Sequence, residues 1–322
     1  MSRSVERQIS SIQKTVEHRT KQHRAKELQN NSDMGFLARE FVQCTLPHKD
    51  PKKRTFKTTN NLVTVMIESG TDPKTEKDLG VPYGVIPRLL LYYINTQAVA
   101  NYNEAEPRRI SFGRNLHHFM RELGMNPDNG GGKRSDYKRL VDQARRLFTS
   151  KISISFEEPA ELAKNGSGEL VIPNRDVPLE RDMLISKVRD LWWESANPYQ
   201  DSLWESTILL DEDFYKAITS NPVPVSLRIL RQLKRSPLAL DLYGWVNYRT
   251  YSANAKGTSI TIPLRSVKEQ IGDSYADQYE FNRKFKQAMA KVLEAQPGLN
   301  IEILDGAVTI HPGQTAIASK EI

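Results

Sequence analysis

Apolar residues recur along the chain at two periods, and the order of those periods repeats. The first run, Leu62 to Ile67, is rich in β-branched residues and predicts a strand. Val85 to Ala100 follows as a helical stretch containing Leu89, Leu90, Tyr93, Ile94 and Gln97. Its Pro87 falls in the first turn, where a missing N–H costs little. Arg109 to Ser111 reads as a short strand. A second helix carries Leu116, Phe119, Met120 and Leu123 at helical spacing, with Ser111 as N-cap and Gly124 as stop. The loop NPDNGGGKR precedes a third helix from about Ser135 to Thr149. KISISF then alternates as a strand, and ELVIP supplies a return strand.

The second occurrence begins at Ser236, which caps a helix with Pro237 at its first position. That helix runs through LALDLYGWVNYRTY, TSITI is a strand, and LRSVKEQI is a short helix ended by Gly272. A third helix spans about Ala276 to Ala295. NIEIL and AVTIH are alternating runs joined by Asp305-Gly306, the signal for a two-residue type I′ hairpin. Both occurrences read helix, strand, helix, helix, hairpin. That is the winged helix-turn-helix order, in which the third helix enters the major groove and the hairpin lies beside it. Between them, Met183 to Asn221 predicts strands and a helix start that extend the first unit's sheet, with Trp192, Trp193 and Trp204 as core residues. The fold class is therefore α+β: two tandem winged-helix domains joined through an extended sheet region. The predicted divisions are a basic N-terminal arm (1–35), an N-terminal domain (36–182), connecting strands (183–221) and a C-terminal domain (222–322).

A helix that reads DNA packs one face on its own domain and turns the other to the groove. Steps of about 100° per residue separate the faces. In the C-terminal third helix, Phe281, Phe285, Ala288, Met289 and Val292 share one face. Ala276, Tyr279, Arg283, Lys286, Gln287 and Ala290 share the other. Arg283 suits guanine edges and Gln287 adenine edges, the alanines leave room for the groove, and Lys284 and Lys291 flank it where phosphates lie. In the N-terminal third helix, Tyr137, Leu140, Ala144, Leu147 and Phe148 form the core face. The far side holds Ser135, Lys138, Arg139, Asp142, Arg145, Arg146 and Thr149. With Lys133 and Arg134 just before it, this helix suits phosphates better than bases. The competing reading of each is an amphipathic helix with a solvated basic face.

Charge supports the first reading: the net charge is +7, which favours a polyanionic partner. Between Arg3 and Lys26, seven Lys/Arg face two Glu, and Val5, Ile9, Ile12 and Val16 make a thin helical stripe. That arm reads either as a loosely attached solvated tail or as a DNA-contacting arm. Another basic run, Lys49 to Lys57, lies in a Pro-containing loop. The single Cys44 excludes an intramolecular disulfide framework and fits a reducing cytosol. No apolar run is long enough for a membrane span, and the polar start lacks a signal core, so the expected location is the bacterial cytoplasm.

Catalytic patterns fail on inspection. NGGGKRSD resembles the end of a phosphate loop, but Pro127 stands where the first Gly belongs and Arg134 where Ser or Thr would hold a metal. His117 and His118 are adjacent, so their side chains diverge by about 100° on a helix. No other His, Cys, Asp or Glu grouping has metal-ligand spacing. No enzyme activity, cofactor or metal is expected, and no strand carries the aromatic pattern of an RNA-binding platform.

The segments LPHKDPKKRTFKTTNNLVTVMIESG, GVPYGVIPRLLLYYINTQAV, ISFGRNLHHFMRELG and RSPLALDLYGWVNYRTY resemble the plasmid-encoded RepA family of replication initiators, over about residues 35 to 315. The resemblance implies theta-type initiation. The protein would bind repeated sites (iterons) at a plasmid origin, help open AT-rich DNA and recruit the host initiator, helicase loader and helicase. It implies base reading by the C-terminal unit, through Tyr279, Arg283, Lys286 and Gln287. It also implies backbone contact by the N-terminal unit, through Lys133, Arg134, Lys138, Arg139, Arg145 and Arg146, with homodimers that repress their own gene and so bear on copy control. The alternative is a sequence-specific transcription repressor with no replication role.

Overall fold

The computed structural model describes residues 18–28, 31–60, 63–128, 135–156, 163–164, 170–171, 179–191, 205–272 and 274–316. The first described element is helix α1 (residues 18–28). Next come β1 (Met34–Ala38), α2 (Arg39–Gln43), β2 (Thr55–Asn60), β3 (Val63–Glu68), α3 (Val85–Ala100), β4 (Arg109–Ser111), α4 (Leu116–Glu122), α5 (Asp136–Thr149) and β5 (Lys151–Phe156). The middle of the chain gives β6 (Ala163–Lys164), β7 (Leu170–Val171), β8 (Leu179–Leu184), β9 (Ser186–Asp190), β10 (Thr207–Leu210), α6 (Glu212–Ser220), β11 (Pro222–Ser226) and α7 (Leu227–Leu233). The last part holds α8 (Pro237–Lys256), β12 (Ile260–Pro263), α9 (Leu264–Ile271), α10 (Gln278–Ala295), β13 (Ile301–Ile303) and β14 (Ala307–Ile310). Helix and sheet are thus mixed throughout, an α+β fold.

Local chemistry sets the helix ends. Ser236 Oγ accepts from the Ala239 amide (3.2 Å), Pro237 opens α8, and Gly257 closes it at φ +65°, a left-handed stop that glycine adopts freely. Asp277 accepts from the Glu280 amide (2.7 Å) and so caps α10. Two expected end signals fall elsewhere. The cap of α4 is Asn115, whose Oδ1 accepts from His118 N (3.0 Å). Ser111 cannot do this because the extended pairing runs past it, with the Phe112 amide donating to Ser206 O. At the C-terminal hairpin only Gly306 takes a positive φ (+79°), whereas type I′ needs both central residues there. Leu304 N donates to Ala307 O (2.9 Å), and a single left-handed glycine closes the turn.

The described residues form five sheets, the smallest being the two-residue pairing of β6 with β7. β2-β3-β5-β8 is antiparallel, with Phe56, Val63, Val65, Ile67, Ile152 and Ile154 turned to the core. Residues 183–221 do not simply extend it. β9 and β10 pair instead with β4 in a separate sheet ordered β4-β10-β9. In the C-terminal part the order is β12-β14-β13. The fourth pairing joins distant sequence: β1 runs antiparallel to β11, Met34 opposite Ser226 and Ala38 opposite Pro222. Helix α9 also packs against β2, and a single apolar cluster runs from Leu37 to Ile310. The α1 helix is docked by Ala25, 1% exposed, and by Leu28 against Met34, Phe36 and Val99. Arg24 Nη1 donates to Ser220 O (3.1 Å). The stripe Val5, Ile9, Ile12 and Val16 and the tryptophans Trp192, Trp193 and Trp204 lie outside the described residues.

Candidate nucleic-acid interface

Helix α10 is anchored from below and open above. Phe281, Phe285, Met289 and Val292 are all 0% exposed, and burying each stabilises by about 1.5–3 kcal/mol. The opposite side presents Tyr279, Arg283, Lys286, Gln287 and Ala290 to solvent, as well as Lys291, with Lys284 partly covered. Tyr279 is 80% exposed, a large aromatic left in water with its ring free. Ala276 precedes the helix rather than lying on it, because Asp277 is the cap. The turn from α9 into α10 is tight. A Cβ on Gly272 would come 2.6 Å from two Phe281 ring carbons and 2.9 Å from Lys268 Cγ, so only glycine lets the two helices approach this closely. Beneath them Trp245 Nε1 donates to Gln270 Oε1 (3.3 Å).

The N-terminal helix α5 has the expected core face in Leu140, Ala144, Leu147 and Phe148, joined by the buried Gln143, while Tyr137 is half-buried and Ser135 is 8% exposed. Its cations are largely engaged. Arg139 pairs with Asp136 (3.0 Å) and Arg145 with Asp72 (3.0 Å). Arg146, expected on the far side, is folded inward: it pairs with Asp142 (3.0 Å) and stands 5.3 Å from the centre of the Tyr83 ring. Gly80 fits under it, because a Cβ there would meet Arg146 Nη1 at 2.4 Å. Lys138 is exposed. Lys133 and Arg134 lie outside the described residues. Of the histidine pair, His118 is exposed while His117 Nε2 lies 3.4 Å from Asp128.

A buried charge cluster that the sequence reading passed over locks the two halves together. Arg88 on α3 forks onto Asp241 on α8, Nε to Oδ1 and Nη2 to Oδ2, both at 2.7 Å. Its remaining N–H groups donate to the carbonyls of Leu46 (2.5 Å), Pro47 (3.2 Å) and Gly84 (2.6 Å). His48 Nε2 lies 2.8 Å from Asp241 Oδ2. All three side chains are less than 10% exposed, at 4%, 8% and 7% for Arg88, Asp241 and His48. Burial works to raise the Asp241 carboxyl, but the Arg88 charge and the bonds from His48 and Arg88 outweigh it and hold the group below the usual carboxylate range. Burial pushes the His48 imidazole down, with Arg88 adding to the effect, so the ring is neutral at pH 7 and donates through Nε2. Among the described residues its buried Nδ1 has no partner. An Asp inside LALDLYGW and an Arg inside IPRLLL were the available signals, since charged residues in apolar runs are rarely buried unpaired.

No helix among the described residues is long and apolar enough to cross a membrane. Comparison with known families matches residues 81–262 to the model described as plasmid encoded RepA protein. Those residues are more than half of the chain and include Arg88 and Asp241, though not α10. The chain is also similar to a crystal structure of domains 2 and 3 of RctB, a selenomethionine derivative, with a TM-score of 0.53 at 10% identity, covering 87% of this chain and 97% of that one. A second structure of RctB domains 2-3 gives 0.46 at 11% identity, covering 84% and 94%. At such identities the likeness speaks for the fold alone. No curated protein matches.

Proposed function

The chain belongs to the family of plasmid-encoded RepA proteins, and from that premise we propose that it initiates plasmid replication by binding repeated sites in origin DNA. The observation that carries this reading is the free face of α10. Tyr279, Arg283, Lys286 and Gln287 stand exposed above a fully buried core face, with Arg283 and Gln287 one turn apart. The order α8, β12, α9, α10, β13, β14, with β14 central in its sheet, supports a winged helix whose α10 enters the major groove. Arg283 then reads guanine and Gln287 adenine, while Lys284 and Lys291 take phosphates.

The N-terminal unit, read as a second winged helix, holds backbone through Lys138 and through Lys133 and Arg134, which precede α5 in the sequence. Arg139, Arg145 and Arg146 contribute less than their number suggests, because carboxylates already compensate them. On this reading the protein acts in the cytoplasm by binding rather than by catalysis. It opens AT-rich DNA with the host initiator, helicase loader and helicase as partners, and a homodimeric form represses its own gene. Binding to duplexes carrying the origin repeats and to scrambled duplexes, titrated over salt, tests the first step: origin DNA is expected to bind more tightly at every salt concentration. Equal binding overturns the sequence-reading role. Maintenance of a plasmid carrying the gene with its flanking repeats separates an initiator from a repressor.

A further inference from the structure

Helix α7 and the turn after it carry three arginines whose guanidinium groups make no ion pair among the described residues, although the Asp33 carboxylate accepts from the Arg228 backbone amide (2.7 Å). Ile229, Leu230 and Leu233 are buried at 3–4% exposure, whereas Arg228, Arg231 and Arg235 are exposed. At about 100° per residue, Arg228 and Arg231 lie roughly 60° apart on α7, and Arg235 follows in the turn between α7 and α8. Among the described residues none of the three arginines forms an ion pair. Glu122 acts on Arg231 only from beyond ion-pair range. The contrast with α5, whose three arginines all meet an aspartate about 3 Å away, is one of charge balance rather than charge number.

The helix also sits between the two units. It packs on α8 and α10. Its far end is tied to the N-terminal unit by Lys234 Nζ, which donates to Gly124 O just beyond α4. At Gly124 a Cβ would lie 3.4 Å from Arg231 Cγ, so the stripe abuts the turn that leads from α4 toward α5. From Arg228 to Arg231 the rise is about 4.5 Å, near the axial step of about 3.4 Å between successive phosphates of one strand. Guanidinium forks match phosphate oxygens in pairs.

We propose that α7 and the turn after it form a phosphate-binding bridge, in which Arg228, Arg231 and Arg235 hold the sugar–phosphate backbone of duplex DNA between the stretches taken by the two units. The inference rests on the duplex-binding reading above. The test uses the full chain and a mixed-sequence duplex, with affinity followed over salt. The variant R228Q/R231Q/R235Q is expected to lower the slope of log K against log salt by about 2.7, or about 0.9 per phosphate contact. The variant R228K/R231K/R235K keeps most of the slope. Each single Gln variant lowers it by about 0.9, which carries the test should the triple variant lose its cooperative melt. A control, K53Q/K57Q/K77Q, removes three exposed cations elsewhere and is expected to leave the slope in place. If the α7 triple variant matches wild type, or falls no further than the control, the bridge is overturned and an acidic protein face becomes the better occupant. Failure of the wild-type chain to bind any duplex would instead overturn the duplex-binding reading itself.

Discussion

Replacing Asp241 by Asn removes one charge from a site buried from solvent, with Asp241 8% exposed. Arg88 would keep its three carbonyl partners, Leu46, Pro47 and Gly84, and lose the carboxylate that it grips at 2.7 Å through two N–H groups. With Arg88 4% exposed, the guanidinium stays charged and desolvated. Breaking a buried pair in this way costs about 3–5 kcal/mol, out of a total stability on the order of 5–15 kcal/mol. The measurement is urea unfolding of the full chain, read as a fall in midpoint. A lowered m-value would show that the halves no longer unfold together. Removing both charges is a different experiment: R88M/D241L trades the pair for apolar volume and is expected to recover most of the loss. Should Asp241→Asn cost less than about 1 kcal/mol, or the double variant be no better than the single, the cluster is not what couples the halves.

Acid should act on the same cluster in two stages. The folded His48 ring titrates below its unfolded value, so the stability it contributes is present above about pH 6.5 and is lost as pH falls toward its folded value. Asp241 behaves likewise from below about pH 4; His48→Gln is expected to remove the upper stage of a midpoint-against-pH curve and leave the lower. Arg283→Ala should cost about 1–3 kcal/mol on the preferred site and relax preference at one base pair, and an equal loss on scrambled DNA would refute base reading. Lys138→Ala should weaken all duplexes alike and flatten the salt slope by about 0.9. Arg146→Ala should chiefly lower the melting temperature, because that side chain is 17% exposed and already paired. Gly272→Ala drives a Cβ into the buried Phe281 ring and should destabilise by about 1–3 kcal/mol, seen in thermal melts.

What periodicity could reveal, it revealed. The α10 core face rests on five apolar side chains at helical spacing, and all five are buried. The same rule located α5, whereas α8 was legible from its Ser236 cap and Pro237, because residues 238–247 are buried in succession and leave no polar side to give a period. What escaped was non-local or disguised. β11, PVPVS, carries two prolines, which argue against a strand by composition, yet it needs only the partner β1, 192 residues upstream at the Met34–Ser226 register (226 − 34). The Arg88–Asp241 fork is separated by 153 residues, and nothing in either segment names the other. Arg146 shows the limit of reading faces alone: its helical angle faces outward, but Tyr83, Asp50 and Asp142 fold it back.

The β1–β11 pairing also has a cost in time. A ribosome adding about 5–20 residues per second takes roughly 10–40 s to go from Met34 to Ser226, and all that while β1 has an unpaired edge; Arg88, once made, waits through 153 further residues for Asp241. The nascent first half therefore waits, with apolar surface showing, for a strand not yet made. Chains released before residue 222 should aggregate or be degraded, and a nonsense mutation in this interval should leave no folded N-terminal fragment behind.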